Sequence, residues 1–436
     1  MKFFDRKVEL KLLEQCRKQS LKRGVFTVMT GRRRIGKTSL LLHSMAKTPF
    51  LYLYVSKDNE HLLVQRFQNE AAASLGLEVF GHLSSFAELF DQLMKYGLTH
   101  NYTLIIDEFQ NLLRVNPAIP SHIQDIWDRY HEKVKVHLIA CGSIQSMMKD
   151  IFENNDAPLY GRCDCRIVLK PFRIDVLKQI LHTYYPAYQN EDLLCLYALT
   201  GGVAKYVAWL MDSETYTRDE MLKWATRMGS PYLTEGTELL MSEFGREYAN
   251  YLSILQIIAG GMTSQNEIDS VIGKNTGTYL ANLANNFGFI QKMQPMFAKP
   301  GGHNVRWCIG DCFFRFWFRF IISNQPLLET ERNDLLLKLV LRDYEQFSGL
   351  TLEQYFRQKT FEQDNFTQVG SYWDGKGEHE IDMIALDDLQ KRATIAEVKR
   401  NFHKINLSLL TEKAEYIQKH LNGYHICTMA LSLNDM

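Results

Sequence analysis

Residues 24–44, GVFTVMTGRRRIGKTSLLLHS, constrain the chain more than any other stretch. A short β-branched and aromatic run bounded by Gly24 and Gly31 reads as a buried strand, and the apolar run after Thr38 reads as a helix. Between them stands GxxxxGK[ST], and strand, loop, helix is the context that separates a phosphate-holding loop from a chance match. Gly31 and Gly36 let the backbone curl until its N–H groups point inward at an anion, and the helix N-terminus adds its dipole. Lys37 can then reach the β- and γ-phosphates, and Thr38 can set its hydroxyl on Mg²⁺. The expected nucleotide-holding set is Gly31, Arg34, Ile35, Gly36, Lys37, Thr38 and Ser39. Arg32, Arg33 and Arg34 fill positions that contribute only backbone N–H groups, so their side chains are expected to face outward or pair with nearby acids. An alternative for one of them is a partner subunit or DNA.

A second apolar strand, within YTLIIDEFQNLL, ends on Asp107 and Glu108. An aspartate there can hold Mg²⁺ through water, and the adjacent glutamate can polarise an attacking water. Together the two motifs imply ATP and Mg²⁺ as cofactors and hydrolysis as the chemistry. A third strand, in VKVHLIACGS, ends at Ser143. In the glycine-flanked APLYGRCDCRIVLKPF, Arg162 could present a guanidinium to a phosphate. Arg166 competes for that role, and a structural arginine remains the alternative to both.

The chain has 436 residues, too many for one ordinary core, which suggests two to four domains. Its 50 basic residues equal its 50 acidic ones, so no global field favours nucleic acid or an anionic membrane, and such a role must rest on local patches. The eight cysteines form no CxxC pair, and Cys308 and Cys312 lack companions for a zinc site, so reduced thiols are expected. MKFFDRKVELKLLEQC does not read as a signal peptide, and CFFRFWFRFII is broken by Arg315 and Arg319 and too short for a bilayer. A cytoplasmic protein without a membrane segment is the expectation.

Beyond the core, RIDVLKQILHTYY, NEDLLCLYALTGG and RDEMLKWATRM carry apolar residues at helical spacing, predicting a helical region over 171–245. Residues 246–322 read as three helices and a β-wing, a winged-helix layout. Its recognition helix would offer Asn275, Thr276, Thr278, Tyr279 and Asn282 with Lys274 as the only cation, which suits packing or partner docking better than base reading. SNQPLLETERNDLLLKL, 323–339, is the expected hinge. Over 340–436 the order is helix (LTLEQYFRQKTF, with Glu353), strands NFTQVGSYW, HEIDMIALD and ATIAEVKRN, helix INLSLLTEKAEYIQKHL and strand YHICTMAL. Glu397 and Lys399 are two apart on a strand and therefore share a face.

GRRRIGKTSLL, LIIDEFQNLL, ACGSIQSMM, PLYGR and TGGVAKYV, in this order, resemble the archaeal-type P-loop ATPases, a branch related to AAA+ and STAND NTPases and found also in bacteria. FFDRKVELKLL, with Arg6 and Glu9, looks like that family's entry segment, and an arginine-rich loop is what the family shows. The resemblance implies an α/β P-loop core over 1–170 with a parallel sheet, a helical lid over 171–245, and Ser143 as a γ-phosphate sensor, a turn serine being the alternative. It also implies catalytic roles for Glu108, Lys37 and Arg162. The C-terminal order αβββαβ with Asp382-x₁₄-Glu397-x-Lys399 resembles the restriction-endonuclease-like domains and their PD-(D/E)XK motif, with EID in place of Pro-Asp. That likeness implies Glu353, Asp382 and Glu397 as metal-holding acids and Lys399 beside the attacking water, while Thr38 and Asp107 are expected at the ATP-bound ion from the loop and strand-end motifs. The function then expected is an ATP-hydrolysing switch coupled to a nuclease-like domain acting on DNA or RNA, as a homo-oligomer or with a partner protein. The alternative is a signalling or scaffold ATPase whose C-terminal domain is a non-catalytic interaction module.

Overall fold

The computed structural model describes residues 1–45, 48–77, 83–299, 301–302, 304–363, 365–375 and 378–436. Ala46 in the first expected helix and Pro300 and His303 in the expected wing lie outside these residues. The chain divides into two compact units, Asp5–Pro171 and Met1–Phe4 with Phe172–Met436.

In the first unit, β1 (Val25–Thr30), β2 (Phe50–Tyr54), β3 (Tyr102–Asp107), β4 (Val136–Gly142) and β5 (Cys165–Val168) form a parallel sheet in the order β2-β3-β4-β1-β5. β3 and β4 are buried along their whole length, as apolar strands covered on both faces must be. The helix Phe86–Tyr96, capped by Ser85, turns Phe86, Leu89, Phe90, Leu93 and Met94 into one core with Leu51, Leu104 and Ile106 of the sheet. Because β4 lies between β1 and β3, the carboxyl ends of these three strands stand side by side, where open α/β sheets hold their ligands.

The second unit starts with the helices Ile174–Tyr184, Asn190–Thr200, Ala204–Asp212, Arg218–Thr226 and Pro231–Phe244. Asn190–Thr200 is buried from Asp192 to Thr200, which makes it the spine of this region. Tyr248–Ala259, Gln265–Ile272 and Gly277–Asn285 follow, then the antiparallel ribbon of β6 (Ile290–Met293) and β7 (Arg306–Ile309). The apolar CFFRFWFRFII becomes the helix Cys312–Phe316 continued by a π-turn, Trp317–Ile321, in which every residue but Arg315 and Arg319 is buried, while the final Ile322 is half-buried.

The expected hinge over 323–339 is corrected. Gln325–Glu329 is helical, and from Asn333 a single 29-residue helix runs to Phe361, so the LTLEQYFRQKTF helix is its last part. Leu336, Val340, Tyr344, Leu352, Tyr355 and Phe356 recur at helical spacing on its buried side, and that apolar stripe carries the helix through what composition alone suggests is a linker. Behind it stands a sheet in the order β11-β10-β9-β8, formed by β8 (Gln368–Trp373), β9 (Glu380–Asp387), β10 (Arg392–Val398) and β11 (His425–Leu431). Only β10 and β11 run parallel, joined through the helix Leu407–Ile417, whose Leu410, Ala414 and Ile417 cover Ile381, Ile384 and Ile395. Among the described residues no helix is long and apolar enough to cross a membrane.

Candidate functional site

The loop between β1 and the helix Lys37–Ser44 turns through left-handed backbone at Arg34 (φ 70°) and Gly36 (φ 96°). Alternation of this kind makes a concave row of N–H groups, and Gly36 meets it without the Cβ clash that Arg34 must absorb. Ile35 is fully buried, Arg34 and Ser39 are exposed, and Arg32 and Arg33 are half-buried. Lys37 is buried, and its ammonium donates to the carbonyls of Gly31 (2.8 Å) and Arg32 (3.1 Å). Burial pulls its pKa below the ordinary lysine range, opposed by the charges of Glu108 and Asp107.

The acids meet the loop directly. Asp107 Oδ2 accepts from Thr38 Oγ1 at 2.9 Å and from the Tyr52 hydroxyl at 2.6 Å, while Oδ1 accepts the Glu108 N–H at 2.9 Å. Glu108 has left-handed backbone (φ 55°), a conformation that a non-glycine residue holds only where its surroundings insist. Its Oε2 accepts from Ser143 Oγ at 2.8 Å and from the side-chain amide of Gln110. Ser143, expected to sense phosphate, is thus bonded to the expected base.

Tyr52 and Gln110 are site residues that the sequence reading missed. Tyr52 sits in an apolar strand where a tyrosine passes for core, and burial followed by Asp107 pushes its hydroxyl pKa well up. Gln110 is fully buried beside Gly142, where a Cβ would stand 2.6 Å from its Oε1. The signal was DEFQ itself, since a glutamine two residues past a carboxylate can bend back on it.

Arg162 holds Asp128 through both Nε (3.0 Å) and Nη2 (2.8 Å), and Arg166 holds Glu153 (2.9 Å) and the Phe152 carbonyl. In this structure both guanidiniums are engaged at ion pairs rather than with the phosphate loop.

In the second unit, Asp382 on β9 and Glu397 on β10 stand one step beyond the paired Met383 and Ala396. Lys399 Nζ lies 3.0 Å from Asp382 Oδ2 and 3.0 Å from Glu397 Oε1. Asp382 Oδ2 also accepts the Val398 N–H at 2.8 Å. Lys413, from the helix Leu407–Ile417, donates to Glu397 Oε2 at 2.7 Å. Arg357 Nη1 donates to the Asp382 carbonyl at 2.7 Å and stands 3.5 Å from Glu353 Oε2. Burial and then Asp382 push the Glu353 carboxyl up to about 7. Burial works to raise Glu397, but hydrogen bonds from Lys413 and Lys399 hold it low. Burial likewise works against Lys399, and Asp382 and Glu397 raise it nonetheless.

The four expected residues are therefore drawn toward one cluster, joined by Arg357 and Lys413, which spacing did not reveal because they come from other elements. Among the described residues, three potential ligands within 4.8 Å of one another occur at Asp374, Glu378 and His379, not at Glu353, Asp382 and Glu397.

The wing is occupied by this same region. Met296 N–H donates to the Ser371 carbonyl (2.9 Å), Trp373 Nε1 donates to Asn304 Oδ1 (2.8 Å), and Arg306 pairs with Glu380 (2.8 Å) while stacking 4.5 Å from Trp373. In the third helix, Tyr279 packs on Tyr251 and Lys274, and Asn282 donates to the Tyr251 hydroxyl.

Residues 3–210 match the family described as an ATPase domain predominantly from Archaea, and residues 317–414 match one described as archaeal and bacterial proteins of unknown function. An uncharacterized protein of Methanocaldococcus jannaschii is 29% identical over 415 residues, 91% of this chain and 87% of that one. The Walker-type ATPase of Pyrococcus abyssi shares the fold at a TM-score of 0.54 and 19% identity, over 73% of this chain and 96% of that chain. The ORC2 protein of Aeropyrum pernix, at a TM-score of 0.47 and 15% identity over 77% of this chain and 95% of that one, is too distant to carry an argument. The loop, the two strand-end acids and the five-stranded parallel sheet all lie within the residues, 3–210, that match this archaeal ATPase family.

Proposed function

We propose that the chain is an ATP-hydrolysing switch whose C-terminal region, 340–436, is a restriction-endonuclease-like domain acting on DNA or RNA. In this reading 171–245 serves as the lid of the nucleotide core and 246–322 as a winged-helix domain spent on packing rather than base reading. The protein works in the cytoplasm, as a homo-oligomer or with a partner protein. The observation that carries the switch is the meeting of Thr38 and Asp107, 2.9 Å apart, between Lys37 and Glu108. The donors there are oxygens, the kind a hard cation such as Mg²⁺ takes. When bound, the ion neutralises charge developing on the phosphates. Glu108 receives the proton of the attacking water, Ser143 and Gln110 hold its other oxygen, and Lys37 leaves its loop carbonyls for the β- and γ-phosphates.

The nuclease half rests on Asp382 and Glu397 sharing the Lys399 ammonium. The two carboxylates fit one Mg²⁺ or Mn²⁺, with Glu353 turning toward them. A specific observation favours the second reading, a non-catalytic interaction module. Three acids (Glu353, Asp382, Glu397) already face three cations (Arg357, Lys399, Lys413), and Lys399 stands where an ion bridging the two carboxylates would go. Incubation with Mg²⁺ or Mn²⁺ and linear, branched and single-stranded DNA or RNA, with and without ATP, separates the two. Cleavage lost in Asp382→Ala supports the nuclease; intact substrates together with no Mn²⁺ binding by calorimetry overturn it.

A further inference from the structure

We infer that Arg6 is a positioning residue for the nucleotide phosphates, fixing the loop through the carbonyl of Ile35. The inference rests on the loop binding ATP. Asp5 (φ 55°) and Arg6 (φ 70°) are consecutive non-glycine residues in left-handed backbone, a bend that L-residues resist. Arg6 then heads the helix Lys7–Gln19 without capping it by its side chain. A cation at a helix N-terminus also opposes the helix dipole. The helix offers the guanidinium one partner, Glu9 in its first turn at 3.6 Å, but that pair alone gives no reason for an arginine that is only 5% exposed.

The guanidinium's contacts supply the reason. Nη1 donates to the Lys170 carbonyl at 2.8 Å, and Nη2 to the Ile35 carbonyl at 3.4 Å, with Glu9 3.6 Å away. Burial lowers the Arg6 pKa, and Glu9 and Asp5 counter it. Leu169, next to Lys170, donates its N–H to Thr30 at the loop's entrance (2.8 Å). One segment, 169–170, thus holds the start of the loop through Thr30 and its end through Arg6. In a trans peptide the C=O and the following N–H point to opposite sides. Holding the Ile35 C=O against Arg6 therefore turns the Gly36 N–H away from Arg6, toward the side where the phosphates are held. The side chain never touches the nucleotide; it sets the direction of a donor that does.

The test compares wild type with Arg6→Met, Arg6→Gln and Arg6→Lys, using Lys37→Ala as the control without a phosphate site. Steady-state turnover gives KM and kcat, and competition with inorganic pyrophosphate and with adenosine separates phosphate from base recognition. Arg6→Met is expected to raise the ATP KM about tenfold, the scale of one charge-assisted hydrogen bond, with kcat within about twofold. The pyrophosphate Ki should rise by the same factor while the adenosine Ki stays unchanged. Arg6→Lys, which can reach one carbonyl, should fall between. If Arg6→Met does not fold, the Gln and Lys variants carry the same comparison. An unchanged KM, or adenosine and pyrophosphate weakening together, overturns the inference. Failure of the ATP reading looks different: wild type and Lys37→Ala would then bind pyrophosphate and ATP equally.

Discussion

At the end of β3, Asp107 and Glu108 are satisfied by neutral donors, namely Thr38, Tyr52, Ser143, Gln110 and a backbone N–H, while the nearby Lys37 is turned back on its own loop. Where the start of β9 meets the end of β10, Asp382 and Glu397 are satisfied by Lys399 and Lys413, with Arg357 beside Glu353. Hydroxyls and amides orient a carboxylate without cancelling its charge, so the first site keeps its negative field. Ammonium groups cancel that field and compete with an incoming cation, and a pair that is partly buried is costly to open by removing one partner. The first cluster is arranged to receive a ligand; the second must exchange one of its own cations to do so.

The sharpest break in this comparison comes from the first cluster. Lys37→Ala should lose measurable nucleotide binding, because the loop's N–H groups are left without their mobile cation. Glu108→Gln should keep ATP affinity and lose about 10²–10⁴ in turnover, the usual worth of a general base. Equilibrium dialysis and phosphate release read the two effects separately. Wild-type turnover in Glu108→Gln would show that another group takes the proton.

The second cluster should respond by exchange. Asp382→Ala and Lys399→Ala are expected to abolish divalent-dependent cleavage and leave the ATPase rate within about twofold, since both residues belong to the other compact unit and a general acid or base works only within hydrogen-bond reach of the proton it moves. Yet Lys399→Ala should bind Mn²⁺ more tightly than wild type, because the ammonium that stands between the two carboxylates is gone. Calorimetry in the absence of nucleic acid measures this, and weaker Mn²⁺ binding in Lys399→Ala would mean that the lysine is no competitor.

Arg162 gives a smaller effect. Arg162→Ala is expected to leave ATP affinity unchanged and lower turnover about tenfold, well under the range of a fully seated arginine finger because Asp128 already holds the guanidinium. If it acts in trans, adding the Lys37→Ala protein restores part of the rate. Undiminished turnover assigns Arg162 to its ion pair alone.

What the sequence made legible follows from how each site is built. Gly31, Gly36, Lys37, Thr38 and the pair Asp107–Glu108 lie on a strand end or the loop beside it, so local pattern and spacing suffice to find them. Period-two spacing likewise put Glu397 and Lys399 on one face. Tyr52, Arg6, Arg357 and Lys413 arrive from other elements, and no local pattern announces a tyrosine in LYLY or a lysine in LTEKAEY as a partner of a distant acid. The linker over 323–339 was misread for a related reason. Pro326 and the charged TERND suggest a break, whereas the stripe of Leu336, Val340 and Tyr344 gains its meaning only from the core it covers.

The smallest effect is in the pH dependence of the two units, whose signs should be opposite. His137, fully buried on β4, shares a 2.8 Å hydrogen bond with Thr27 through Nε2, and burial lowers its pKa to about 3. Its folded pKa lies below the unfolded value of 6.5, so the stability it contributes is present above pH 6.5 and is lost as pH falls toward 3. The slope is at most about 1.4 kcal/mol per pH unit for one proton. Glu353 has the reverse sign. Its folded pKa, about 7, lies above the ordinary 4.5, so its contribution is present below 4.5 and is lost as pH rises through 7. Hydrogen exchange in EDTA, followed on β4 and on the helix Asn333–Phe361, should therefore show the first loosening with acid and the second loosening toward neutrality. His137→Phe should flatten the first trend, and Glu353→Gln, which mimics the protonated carboxyl, the second. A helix Asn333–Phe361 whose protection does not change between pH 4.5 and 7 in wild type would mean that Arg357 and Lys399 already neutralise Glu353, and the second cluster would then be closed to any further cation.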